Sequence, residues 1–279
     1  VIQDRTFNTD GTLAYAPTSS DYRTGLMGDT LFVNGAAQPY LKVSTHKYRF
    51  RILNGSNARY YTFSLSNGAT MSQIATEAGL LSKPYAQSSI TLAPAERADV
   101  VVDFGNVPVG TSVTLRNNSG WNGATDIMRF DVNSSTSDTS TVPATLRAFT
   151  PLAASAVSVR RTFTIAQQRD GMWTFNGKTY DPARIDANVA LGATEEWTFQ
   201  NQSGQDHPIH MHDINFQVVS GSYSGGSGPN LEWKETINVP SWSSVTVRAQ
   251  FPDFTGIYMF HCHILEHEDH MLMSQFKVG

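Results

Sequence analysis

Seven of the eight histidines fall between positions 207 and 270, and the single cysteine, Cys262, sits inside the second of two histidine clusters. The first cluster reads His207-Pro208-Ile209-His210-Met211-His212. Alternate side chains of a strand share a face, so His210 and His212 project together while Met211 goes the other way. Pro208 holds His207 extended just before the strand, where its imidazole serves a different site. The second cluster reads His261-Cys262-His263-Ile264-Leu265-Glu266-His267. A strand continuing through it points His261 and His263 to one face and Cys262 to the other, with His267 returning from the following turn. A soft thiolate with two imidazoles, here Cys262, His207 and His267, is the ligand set of a blue-copper electron-transfer centre. The remaining His210, His212, His261 and His263 form a nitrogen-only set suited to further copper. Taken singly, an HxH is more often a chance surface feature, and a lone buried Cys usually acts as a small hydrophobe. The two motifs together are far more specific. A structural zinc site is the metal alternative, but it closes with four ligands in more compact spacing.

The segments that must position these residues read as strands. Val, Ile, Thr, Phe and Tyr recur between turn residues at Thr30–Asn34, Lys47–Leu53, Tyr60–Leu65, Ser89–Leu92, Ala98–Phe104, Ser112–Arg116 and Ile127–Val132. They resume at Arg161–Gln167, Trp173–Asn176, Glu195–Asn201, Ile209–Val219, Lys234–Val239, Ser244–Gln250 and Gly256–Cys262. Helical periodicity is confined to short turns at Ile264–Leu272 and Met71–Ala78. The class is all-β, in sandwiches.

Residues 133–160 are rich in Ser, Thr, Ala and Pro, a composition that cannot bury a core, and we read them as a linker between a domain at 1–132 and one at 161–279. The halves repeat one another: Phe32-Val33-Asn34-Gly35 matches Thr174-Phe175-Asn176-Gly177, and the run ending at Asn54 matches the run ending at Asn201. Aligning Asn54 with Asn201 sets Tyr60, Phe63 and Leu65 against His207, His210 and His212, so the first half carries no ligands.

Composition narrows the function classes. At about 150 residues per domain, 279 residues predict roughly two domains. The net charge of −4 and a charged fraction of 16% argue against a partner bound by phosphate neutralisation, so no nucleic acid is expected. No apolar run is long enough to span a membrane, and no leader pattern opens the chain. One cysteine permits no internal disulfide.

The paired motifs His207-Pro-Ile-His-Met-His212 and His261-Cys-His-Ile-Leu-Glu-His267 resemble the C-terminal copper signatures of the multicopper oxidases, particularly bacterial spore-coat-type laccases and the related bilirubin oxidases. Val1-Ile-Gln-Asp-Arg-Thr-Phe7, Lys47-Tyr-Arg-Phe-Arg-Ile-Leu-Asn54, Leu92-Ala-Pro-Ala-Glu-Arg-Ala-Asp99 and Trp233-Lys-Glu-Thr236 resemble segments of that family's middle and last domains. The resemblance implies two tandem cupredoxin-like Greek-key sandwiches. It implies type 1 copper on His207, Cys262 and His267, type 2 copper on His210, and type 3 copper on His212, His261 and His263. Cys262 would carry electrons to the oxygen-reducing cluster, and four one-electron oxidations of phenols or aromatic amines would feed the reduction of dioxygen to water.

Two departures follow. The family completes its cluster with two further HxH motifs on an N-terminal domain, whereas His46, read as a surface residue, is the only histidine before 207. The chain is therefore expected to be the C-terminal two-thirds of a three-domain oxidase and inactive alone. The family's frequent axial methionine falls at Leu272, between Met271 and Met273. An apolar Leu272 would leave the metal three-coordinate and favour a higher potential; a slip of the turn would instead bring a flanking sulfur close. Glu268 resembles an acid that relays protons beside the oxygen-reducing cluster. Asp206 caps a turn or orients His207, and His270 and Glu266 are read as structural. Trp233–Thr236 has no chemical explanation from sequence. The runner-up functions are an electron-transfer module holding only type 1 copper, and a cuprous-ion oxidase. The latter should carry a methionine-rich insertion, but Ser220–Leu231 holds no Met and reads as a flexible lip by the substrate entrance. Export to periplasm, exterior or spore coat fits the lysine-poor, Ser/Thr/Asn-rich composition.

Overall fold

A computed structural model describes residues 1–119, 125–221 and 228–279; part of the Ser220–Leu231 segment lies outside them. Its secondary structure is mainly β-strand, and no described helix is long and apolar enough to cross a membrane.

The chain forms two compact units. The first comprises Val1–Ala16, Met27–Thr76 and Leu80–Ala148, and the second Pro17–Leu26, Glu77–Gly79 and Phe149–Gly279. This differs from the 1–132, 133–160, 161–279 division, because two short segments from the N-terminal half belong to the second unit. They stay there because they bond to its buried groups: the Arg23 carbonyl meets His267 Nε2 at 3.0 Å, and Glu77 pairs with Lys234. The strands also encroach on the expected linker, one running to Ser134 and the next beginning at Val157.

In the first unit a four-stranded sheet (Lys47–Leu53, Arg97–Asp103, Met71–Thr76, Gly79–Gln87) faces a five-stranded one (Tyr40–Ser44, Asp126–Ser134, Ser112–Asn117, Tyr61–Leu65, Ile90–Leu92). Alternation makes this possible: Arg97–Asp103 buries Ala98, Val100 and Val102, and Tyr61–Leu65 buries Tyr61, Phe63 and Leu65. These side chains meet in one core, with Phe50 and Phe130 rings 5.2 Å apart. Met71–Thr76 is a strand, not the expected helical turn. It lies inside its sheet with five of six residues buried, so the two-residue alternation that marks a strand is absent from its sequence.

The second unit repeats the plan. Six strands (Trp173–Phe175, Val157–Gln167, Thr194–Asn201, Ser244–Gln250, Phe216–Gly221, Trp233–Lys234) face five (Ala187–Val189, Met273–Val278, Gly256–Cys262, His207–Met211, Thr236–Val239). Phe260 of the smaller sheet packs on Phe163 at 4.6 Å and Phe175 at 4.9 Å, and Trp197 meets Phe276 at 5.3 Å. The expected strands Ile209–Val219 and Lys234–Val239 are each two strands in different sheets. Asp213, with φ of 74°, lies between the first pair, and Glu235 is the crossing residue of the second.

Strand pairing corrects the internal alignment by one residue. Tyr61 pairs with Leu92 as His207 pairs with Val239, so Tyr61, not Tyr60, is the equivalent of His207 in the repeat, and Ser64, not Phe63, that of His210. The loop from Asn54 to Tyr61 is one residue longer than that from Asn201 to His207. Where the second unit has an imidazole held by Ser203, the first has a phenol: Ser56 Oγ lies 2.8 Å from the Tyr61 hydroxyl.

Candidate metal centre

The His207–Met211 strand lies between Thr236–Val239 and Gly256–Cys262 in the smaller sheet. Register puts Ile209 beside Cys262 and His210 beside His261. Cys262 therefore faces the sandwich interior with His207, while His210 and His261 share the opposite face. The short helix Leu265–Asp269 turns back beneath the strand end and delivers His267 to the Cys262 side.

On that side Cys262 Sγ lies 3.5 Å from His207 Nδ1 and 3.6 Å from His267 Nδ1, and the two nitrogens are 3.2 Å apart. All three residues are fully buried. The point equidistant from the three atoms is about 2.0 Å from each, within the range of metal–nitrogen bonds and slightly short of a metal–thiolate bond. The far side of each ring is engaged. Ser203 Oγ meets His207 Nε2 at 3.0 Å, and His267 Nε2 donates to the Arg23 carbonyl at 3.0 Å. The inward nitrogen of His267 is thereby left with its lone pair. Trp173 closes the pocket, its ring 4.6 Å from His207 and 4.7 Å from His267, with its indole N–H donated to the Tyr22 carbonyl.

Electrostatics match a cation. Burial drives His207 well below the ordinary imidazole range, aided by His267, and takes His267 down to about 3 against the opposing Arg23 carbonyl. Burial pushes the Cys262 thiol strongly up, only partly offset by the Ile264 N–H at 3.5 Å. Two neutral imidazoles thus aim lone pairs at a sulfur that ionises only when a cation compensates it. One soft and two borderline donors fit copper.

On the opposite face His212 Nε2 lies 3.2 Å from His261 Nε2, and His210, His212 and His261 form a second group of converging donors. His263 joins by ring contacts of 5.3 Å to His261 and 5.8 Å to His210. His210 Nδ1 donates to the Glu235 carbonyl at 2.9 Å, leaving Nε2 as its ligating atom. Burial lowers His210 to about 3, assisted by His261, His212 and His263. His261 Nδ1 lies 3.0 Å from the Cys262 carbonyl and 3.3 Å from Glu268 Oε2.

Comparison with known proteins bears on what this donor set is for. Models of the family described as multicopper oxidase match residues 5–125 and 154–279. The chain belongs to the multicopper oxidase family. It is 34% identical to a laccase of Bacillus subtilis and 31% identical to a bilirubin oxidase of Albifimbria verrucaria, covering 61% and 52% of their lengths with 100% and 99% of its own. The crystal structure of the multicopper oxidase McoA of Aquifex aeolicus superposes with a TM-score of 0.94 at 32% identity, over all of this chain and 65% of that one. The chain thus spans half to two-thirds of the length of these relatives. The cupredoxin-like sandwich fold and copper as cofactor follow from membership.

The other residues of this multicopper oxidase chain sort by contact. Glu268 is half-buried against His261. Burial would raise its carboxyl, but the His261 hydrogen bond and the neighbouring imidazoles bring it below the ordinary range. Leu272 is buried, its carbonyl accepting from the Cys262 N–H and its N–H donating to the His267 carbonyl. Met271 is exposed at φ of 79°. Asp206 caps a turn, accepting from Asn238 and the Ser241 N–H, while His207 is oriented by Ser203. Glu266 accepts from the Leu26 N–H, and His270 stacks on Tyr22 at 4.7 Å. His46 is half-buried against Ser44 and Tyr48, not a free surface group. Trp233–Thr236 now has a chemical role, since its Glu235 carbonyl and Thr236 hydroxyl hold His210. Sequence reading missed Ser203 and Arg23. The first was detectable, because Asn54-Gly-Ser56 repeats as Asn201-Gln-Ser203; in both the serine N–H donates to the asparagine Oδ1. Arg23 acts through its main chain and leaves no side-chain signal.

Proposed function

We propose that the second unit carries the type 1 copper and part of the trinuclear site of a laccase-like oxidase. In this reading His207, Cys262 and His267 would hold type 1 copper, and Leu272, buried and bonded through its main chain to Cys262 and His267, would supply no ligand. His210 holds type 2 copper, and His212, His261 and His263 hold type 3 copper. Bound copper supplies the one-electron chemistry that couples oxidation of phenols or aromatic amines to reduction of dioxygen to water. Cys262 lies between His261 and His263, so its backbone is the covalent route from one centre to the other. Glu268, hydrogen-bonded to His261, would hold a carboxylate beside the site where dioxygen reduction would take up protons. The observation that carries the reading is the buried triangle of one sulfur and two Nδ1 atoms.

The remaining ligands come, in this reading, from a further cupredoxin domain bearing two HxH motifs. Oxygen uptake with a phenol tests this. The 279-residue chain loaded with copper should show no turnover, and turnover should appear when that domain is present. Turnover by the chain alone would overturn the division of ligands, and no turnover in either form would favour a pure electron-transfer module.

A further inference from the structure

Lys234 and Glu77 are buried to 1% and 0% side-chain exposure and form an ion pair at 3.1 Å. A buried charge pair is costly to desolvate and is weak evidence for stability in itself, so its position matters more than its strength. Glu77 Oε1 also faces the N–H groups of Glu235 and Thr236, each at 3.3 Å. Glu235 is where the chain leaves the Trp233–Lys234 strand of one sheet for the Thr236–Val239 strand of the other. The carboxylate therefore anchors the main chain at the crossing.

The peptide joining Glu235 to Thr236 has two ends. Its N–H donates to Glu77, and its carbonyl accepts from His210 Nδ1 at 2.9 Å and from the Met211 N–H at 3.1 Å. A donor bonded to a carboxylate polarises the peptide and makes its carbonyl a stronger acceptor. We infer that the buried Glu77–Lys234 pair is a positioning device for His210: it fixes the crossing peptide that keeps the His210 proton on Nδ1 and its Nε2 lone pair toward His212, His261 and His263. Lys234 balances the carboxylate charge, and neither side chain is a ligand. The inference rests on the proposed role of His210 as a copper ligand.

The test uses the chain with the further cupredoxin domain of the proposed function present. Glu77→Gln keeps an acceptor for the two N–H groups but strands the Lys234 charge, so the double variant Glu77→Gln/Lys234→Met, which removes both charges of the pair, is made beside it. Nitrogen-15 NMR of the metal-free protein reads the His210 tautomer, expected as Nδ1–H in the parent and as a mixture of Nδ1–H and Nε2–H in the double variant. Chelator competition should show the copper at His210 bound about 10–100-fold more weakly, with the blue thiolate–copper band unchanged. A folded double variant with the parental tautomer and parental affinity overturns the inference. A parent protein that binds no copper at His210 overturns the proposed function instead, while the tautomer measurement, which needs no metal, still decides the positioning role.

Discussion

At the residue scale, each imidazole of the buried centre is fixed from behind by a different device: a hydroxyl for His207, a main-chain carbonyl for His267. Ser203 also bonds to Asn201 Oδ1 at 2.8 Å, so its hydroxyl is itself held in place. Ser203→Ala should cost about 1 kcal/mol of stability. It should also weaken copper binding by about 10–100-fold in chelator competition, because His207 loses its orienting partner. Equal affinity in the two proteins would show that packing by Trp173 alone orients the ring. The donors themselves were legible in the sequence because their chemistry resides in side chains of distinctive type. Their supports were less so, Ser203 being signalled only by the repeat of Asn54-Gly-Ser56 as Asn201-Gln-Ser203. Two of the supports, Arg23 and Glu235, act through carbonyls that every residue possesses, and only the fold brings them to a histidine.

At the element scale, the site depends on one strand end held rigid by aromatic packing. Phe260, two residues before Cys262, is fully buried among Phe163, Phe175, Trp197 and Phe199. Phe260→Ala should lower the unfolding free energy by about 3–5 kcal/mol, measured as a fall in the urea midpoint at unchanged slope. A loss below about 1 kcal/mol would mean that the facing sheet collapses into the cavity at little cost. Alternating strands such as Arg97–Asp103 and Ser244–Gln250 could be read directly, since one face of each is buried. Met71–Thr76 could not, being buried on both faces. Sheet switches were hidden too, because Asp213 and Glu235 are ordinary residues within otherwise strand-like runs. The one-residue register error came from a loop-length difference before the strand, since the turn signal at Asn54-Gly55 marks a loop without fixing its length.

At the scale of the whole molecule, acid should unfold the second unit through carboxylates that its arginines hold in the charged form. Burial would raise Glu196, but hydrogen bonds from Arg248 and Arg160 bring it below its ordinary value. Asp186 is likewise pulled down against burial by Arg184 and Ser274. A depressed folded-state value means that the unfolded chain binds protons first. The stability these groups contribute is complete above about pH 4.5, the unfolded carboxylate range, and is lost as pH falls through their folded values. Urea midpoints should therefore be flat with respect to these groups at neutral pH and decline below about pH 4.5, and Glu196→Gln should flatten that decline. An unchanged decline in the variant would assign acid sensitivity to other groups.

The protein repeats one sandwich twice, and where the first copy carries the Tyr61 phenol the second carries the His207 imidazole, which meets sulfur in its interior. Copper titration of the chain, followed by visible absorption, tests this most directly. One intense thiolate-to-copper band is expected to grow in and saturate, and to be absent from Cys262→Ser. Copper taken up without that band, or a band that survives in Cys262→Ser, would contradict it.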